Sequence, residues 1–280
     1  MEIQLSVATA NFYYFPFQET LEIIAGAGFN FIELDPYCQV GDFEMAQHLK
    51  GIAPRDVIRW IERSGLQVSS IHDGGGVLID GLSRAGYINP TLDQYLDALG
   101  CSPDYLVFHT PHIFGKAAPG WWERCAPSIV KEIDRYRPYC RTVTFENIPP
   151  IEGYSVSITD PNDLASFVTA SGMSVTLDVN HYAQQGVDFI AAARILLANL
   201  RSIHLSDYAN GKTHLFIGEG VFDFPGFFQL LEPLQKEVTI TLECSMSTQE
   251  KPAQDMTKPE LLNRLIEARN RLIEISDRSI

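Results

Sequence analysis

Eight times along the chain, a short run of β-branched or aromatic residues gives way to a segment of helical periodicity. Nothing else in the sequence constrains the fold as strongly, because parallel strands need a crossover between them and a helix is the usual one. The expected strands are residues 3–8, 31–35, 67–72, 105–109, 142–146, 174–179, 202–205 and 238–243. The helices expected behind them are 18–27, 54–63, 90–99, 122–136, 161–170, 188–198, 225–234 and 258–275. Asp160 stands where it can cap the fifth helix ahead of Pro161, and Gly65 marks the end of the second. Eight units favour a closed α/β barrel, a single (β/α)8 domain over residues 1–280, above an open doubly wound sheet. The open sheet also lacks its fingerprint, since no GxGxxG follows the first strand.

Charge narrows the partners. With 35 acidic against 21 basic residues the chain carries a formal charge of −14, and no Lys/Arg-rich run builds a local groove for a phosphate backbone. Nucleic acid is therefore an unlikely partner. Five cysteines without CxxC spacing, and no opening signal segment, point to a reducing cytoplasm. No stretch approaches the roughly 20 apolar residues of a membrane span. A homo-oligomer is compatible with all of this.

An α/β barrel builds its active site at the C-terminal ends of its strands. Here strands three to eight finish at or beside His72, His109, Glu146, Asp178, His204 and Glu243. Asp, Glu and His are 42 of the 280 residues, so six such ends in succession are a concentration that chance rarely yields. Singly each has a plainer role: a strand-end carboxylate often caps the following helix, and a histidine in an apolar strand is often a hydrogen-bonded core residue. Together, Glu146, Asp178, His204 and Glu243 form an oxygen-rich shell suited to Mn²⁺, Mg²⁺, Co²⁺ or Zn²⁺. Glu33 and Asp35, near the end of strand two, are expected to bond substrate or support a neighbour and are left outside that shell. The aromatics of loops one and four, among them Phe12, Tyr13, Tyr14, Phe114, Trp121 and Trp122, serve equally as sugar-stacking faces or as core.

The segments GFNFIEL (28–34), SSIHDGG (69–75), LVFHTPH (106–112), TFENIP (144–149), TLDVNHYAQQG (176–186), IHLSDYANGKTHLFIGEG (203–220) and TLEC (241–244) span nearly the whole chain. On them the sequence resembles the xylose-isomerase-like TIM barrel superfamily, which holds sugar epimerases and isomerases and also the endonuclease IV class of abasic-site nucleases. The resemblance implies one divalent metal on Glu146, Asp178, His204 and Glu243. It also implies catalysis by Glu146 and Glu243, which pass a proton to and from a sugar-like substrate through a metal-stabilised enediolate. In the nuclease class, histidines matching His72, His109, His181 and His214 bind further zinc, with an aspartate where this chain has Lys212. That substitution counts against the third nuclease zinc, while His72 and His109 leave room for a second metal. In the isomerase reading His181, Lys212 and His214 contact the substrate. A dehydratase of a cyclic polyol or keto acid, an abasic-site phosphodiesterase and a non-catalytic binding barrel are the alternatives.

Overall fold

The computed structural model describes residues 4–40, 43–73, 77–78, 91–234, 238–248 and 250–278. Residue 3, the glycine-rich loop at 74–76 and Pro90, the expected start of the third helix, lie outside them. Eight parallel strands close into a barrel in chain order: β1 (Gln4–Ala8), β2 (Phe31–Leu34), β3 (Gln67–Asp73), β4 (Tyr105–His109), β5 (Thr142–Glu146), β6 (Ser174–Asp178), β7 (Leu200–Leu205) and β8 (Thr239–Leu242). β1 closes the ring on β8, with Gln4 to Val7 opposite Thr239 to Leu242. Closure leaves the barrel without an edge strand.

The helices are α1 (Phe17–Gly26), α2 (Pro54–Arg63), α3 (Leu92–Leu99), α4 (Trp121–Asp134), α5 (Pro161–Ser171), α6 (Val179–Gln184), α7 (Phe189–Leu196), α8 (Phe224–Leu231) and α9 (Lys258–Arg278). Local chemistry sets several of their ends. The Asp160 carboxylate accepts from the amides of Asn162 and Asp163, with Pro161 in the first turn. Gly65 follows α2 at φ +79°, its amide donating to the Glu62 carbonyl, a conformation that favours glycine. One boundary differs in kind: Val179, expected to finish the sixth strand, instead opens α6. The Asp178 carboxylate captures the first free amides there and turns the chain into a helix.

Period-two alternation divides each strand into two faces. On the outer face Val143, Phe145, Val175, Leu177, Ile203, Leu205, Ile240 and Leu242 are buried among Leu164, Val168, Ala192, Leu196, Phe227 and Leu265 of the surrounding helices. Burying each such side chain contributes roughly 1.5–3 kcal/mol, which makes this layer the main source of stability. On the other face of the last four strands a hydroxyl precedes the acid or imidazole by two residues. The pairs are Thr144 and Glu146, Thr176 and Asp178, Ser202 and His204, and Thr241 and Glu243. The hydroxyls satisfy one another where they meet, Thr144 to Thr176 at 2.7 Å, forming a polar floor beneath the charged layer.

Three additions were not legible as strands, the first an antiparallel pairing of Cys38–Val40 with Phe43–Met45. Val77–Leu78, His112–Phe114 and Tyr154–Val156 form a small sheet of their own, and Asp207–Ala209 pairs with Lys212–Leu215 in a hairpin. The hairpin turns at Asn210 and Gly211, both at positive φ, as a two-residue Asn-Gly turn requires.

Candidate metal centre

Four side chains from the last four strands converge at the C-terminal end of the barrel. Glu146, Asp178, His204 and Glu243 each offer a ligand atom within 4.8 Å of the others. All but Glu243, whose side chain keeps 20% exposure, are almost fully buried. Glu146 Oε2, Asp178 Oδ2, His204 Nδ1 and Glu243 Oε2 are buried and make no hydrogen bond. His204 Nδ1 nevertheless stands 2.8 Å from Glu243 Oε2 and 3.5 Å from Glu146 Oε2. Buried polar atoms without a donor are costly, so four of them aimed at one point call for positive charge between them. The residues therefore fit a divalent cation, by donor type and by the atoms left unsatisfied.

Asp178 shows how one side chain serves two ends. Its Oδ1 accepts the amides of Asn180 at 2.7 Å and His181 at 3.0 Å, capping α6, which leaves Oδ2 free. The backbone of Asp178 is clamped to Asn147, whose side chain accepts from the Asp178 amide at 2.9 Å and donates to its carbonyl at 3.0 Å.

The expected histidines surround these four. His72 Nε2 lies 3.1 Å from Glu146 Oε2 and 2.9 Å from His109 Nε2, and His72, His109 and Glu146 form a second group with ligand spacing. His181 Nδ1 stands 2.7 Å from the Asn147 carbonyl and 3.2 Å from Glu146 Oε1. His214 packs edge-on to His181 and groups with it and Asp178. It sits at φ +48°, a strained conformation for a non-glycine residue, and is held there by its amide donating to Asn180 Oδ1 and its carbonyl accepting from the Ser245 amide. Lys212 is exposed at the start of the second hairpin strand, outside these groups.

Burial and charge oppose each other throughout. Burial pushes the Glu146 carboxyl up, but the imidazoles of His204, His109 and His72 outweigh it and hold the group well below the usual carboxylate range. Glu243 is likewise raised by burial and pulled down further by His204, to about 2. Burial disfavours charge on His72 and His204, yet Glu146 beside His72 and Glu33 beside His204 lift both well above the ordinary histidine value. His181 is raised to about 9 by Asp178 and Glu146 against the same desolvation. Five carboxylates crowd this space, and protons on the imidazoles supply part of the positive charge they need.

Glu33 and Asp35, expected to bond substrate or to support a neighbour, lie against the histidines. Glu33 is fully buried and meets His204 Nε2 at 3.0 Å; Asp35 lies 3.5 Å from His72 Nδ1 and accepts from Thr9 and Ala10, fastening the β1 loop. Their place at the end of β2 was the available signal. The Gly218–Glu219–Gly220 run also has a structural explanation. Asp207 accepts the amides of Tyr208, Gly218, Gly220 and Phe222, so the loop wraps around one buried carboxylate. Of the loop aromatics, Phe12 and Trp121 are core, while Tyr14 and Phe114 are about 70% exposed. Tyr13 and Tyr14 line a cavity of about 350 Å³ together with His214, Glu243, Ser245 and Ser247.

Comparison with known proteins places this geometry. Solved structures that superpose over nearly the whole chain include an L-ribulose 3-epimerase, with TM-score 0.70, 16% identity and coverage of 99% of this chain and 96% of that one. A D-psicose 3-epimerase with D-tagatose, from Clostridium cellulolyticum H10, gives 0.69 at 12% identity, covering 98% and 99%. An AP endonuclease, family 2, from Brucella melitensis gives 0.65 at 17% identity, covering 93% and 97%. Identities this low establish the shared fold and nothing finer. No curated protein sequence matches the chain. Among the described residues no helix is long and apolar enough to cross a membrane. The sequence itself matches a family of defined architecture over residues 21–265, and on that match the chain belongs to the xylose isomerase-like TIM barrel family.

Proposed function

We propose that the protein is a divalent-metal-dependent isomerase or epimerase of a sugar or a closely related polyol ketone. One observation carries the reading. The unpartnered atoms of Glu146, Asp178, His204 and Glu243 converge beside a cavity of about 350 Å³, within the size range of small-molecule sites. The sugar epimerases among the structural neighbours support the substrate class. These four residues would hold an ion of the Mn²⁺, Co²⁺, Zn²⁺ or Mg²⁺ type, which would supply polarisation of a substrate carbonyl and so acidify the adjacent C–H.

The chain's own groups do the rest. Glu243 lines the cavity and is held ionised, so its carboxylate takes the proton from the carbon beside the carbonyl. Glu146 draws a proton from the His72 imidazolium, 3.1 Å from its Oε2, and delivers it to the opposite face of that carbon in an epimerisation or to the neighbouring carbon in an isomerisation, while the proton on Glu243 passes back to solvent. His181, protonated between Glu146 and Asp178, holds a substrate hydroxyl oxygen, and His214 at the cavity wall orients the far end. Lys212, exposed on its hairpin, meets a distal anionic substituent. A screen of ketoses with Mn²⁺, following solvent deuterium incorporation at carbon, tests the reading. Exchange is expected in the wild type and lost in Glu243→Gln; no exchange with any ketose in metal-loaded protein would overturn it.

A second reading is favoured by the group His72, His109 and Glu146, which offers a further metal place, and by the AP endonuclease neighbour. Against it stand the −14 charge and Lys212. Efficient cleavage of an abasic-site duplex, abolished by His109→Ala, would decide for phosphodiester hydrolysis.

A further inference from the structure

The contact between β2 and β7 crosses the barrel. Around the ring, β2 and β7 are separated by β1 and β8, yet the Glu33 carboxylate reaches His204 Nε2 at 3.0 Å through Oε1 and 3.2 Å through Oε2. Both side chains are completely buried. Ser70 donates to Glu33 Oε2 at 2.8 Å, so the carboxylate is itself fixed from the neighbouring strand β3. A carboxylate accepts and cannot donate, so the ring nitrogen facing it must carry the hydrogen. The other nitrogen, Nδ1, faces Glu146 Oε2 and Glu243 Oε2 and makes no hydrogen bond.

We infer that Glu33 is a positioning residue for the metal centre, holding the His204 proton on Nε2 so that the Nδ1 lone pair faces the point where Glu146, Asp178 and Glu243 converge. The inference rests on the metal-binding reading of those four residues. Glu33 does two things to His204. It fixes the ring's rotation, and its charge raises the electron density that Nδ1 offers to a cation. Partners of this kind typically account for 10–100-fold in metal affinity. The arrangement also explains why a carboxylate lies buried at a strand end that carries neither of the proposed proton-transfer groups. A glutamate at position 33 reaches His204 across the barrel interior, whereas an aspartate is one methylene short.

The test is a Co²⁺ titration of metal-stripped wild type, Glu33→Gln and Glu33→Leu, read by visible absorption and by ions bound per chain, with circular dichroism to establish folding. Glu33→Gln keeps the shape and an acceptor oxygen but loses the charge; Glu33→Leu loses both. The expected result is the same number of ions per chain in all three proteins, with affinity about tenfold weaker in Glu33→Gln and up to about a hundredfold weaker in Glu33→Leu. In the Zn²⁺-loaded wild type, nitrogen NMR is expected to place the His204 proton on Nε2, with a resonance that moves upfield in Glu33→Gln. Unchanged affinity in both variants, or a proton on Nδ1, overturns the inference. So does the loss of one whole ion with no change in affinity for the remainder, which makes Glu33 itself a ligand. A wild type that binds no Co²⁺ overturns instead the metal-binding reading beneath it, so the two failures are distinguishable.

Discussion

Asp178 accepts the His181 amide at 3.0 Å through one carboxylate oxygen, while its other oxygen, without a hydrogen bond, lies 3.6 Å from His181 Nε2. A helix cap and a ligand atom are thus the same side chain. Neither role displaces the other, because the two oxygens point to different tasks.

That division separates two substitutions. Asp178→Asn keeps an oxygen for the α6 amides, so its stability should stay near that of the wild type while divalent-metal affinity drops sharply. Asp178→Ala loses the cap as well and should unfold about 1 kcal/mol more easily. Urea melts of metal-stripped protein beside metal titrations check both. Equal metal affinity in Asp178→Asn and wild type would remove Asp178 from the site.

Elemental analysis of protein purified without chelator should find about one divalent ion per chain, and Glu243→Gln should lose it. Chelation should lower the thermal midpoint and readdition restore it. A ligand at a hundredfold excess over its dissociation constant stabilises the folded state by about 2.7 kcal/mol. A midpoint indifferent to chelation in metal-free protein would favour a silent binding barrel.

Acid should weaken the fold through His48, which packs against Tyr13 and Phe17 with neither ring nitrogen hydrogen-bonded. Burial lowers its pKa to about 4. In the unfolded chain the same group titrates near about 6.5, so between these values the unfolded state binds a proton that the folded state refuses. Stability therefore falls as pH drops from about 6.5 to about 4, and the loss levels off below. With one edge of the ring near water, the cost should reach roughly 2 kcal/mol. His48→Phe fills the slot without titrating, and its stability should fall less over this range; identical pH profiles would contradict the assignment.

Gly220→Ala should be strongly destabilising. An added Cβ would overlap Asp207 Oδ1 and come within 2.5 Å of the Tyr208 carbonyl, so the loop around Asp207 must open. Overpacking of this kind costs about 1–3 kcal/mol. Asp207→Ala, which frees four amides, should cost at least as much. Thermal melts and protease susceptibility near residues 207–222 would report both effects, and a wild-type midpoint in Gly220→Ala would show that the loop is looser than described.

The barrel was legible because it is written locally. Short apolar runs at period two, helical segments and end signals such as Asp160 and Gly65 act within a few residues of themselves, and the strand ends bearing Glu146, Asp178 and His204 follow from that register. The hairpin at Asn210 and Gly211 read as loop, since its strands are too short for a pattern. α6 was missed because six residues show no amphipathic period.

The eightfold alternation, and with it the row of acids and imidazoles at the strand ends, was readable from the chain, since each depends on near neighbours in sequence. Which of those atoms are left without hydrogen bonds, and which supports hold them, was set by packing across the barrel. Glu33 and His204 are 171 residues apart and meet only because eight strands close on a common axis. No local period encodes that contact; ring closure and the burial it imposes create it.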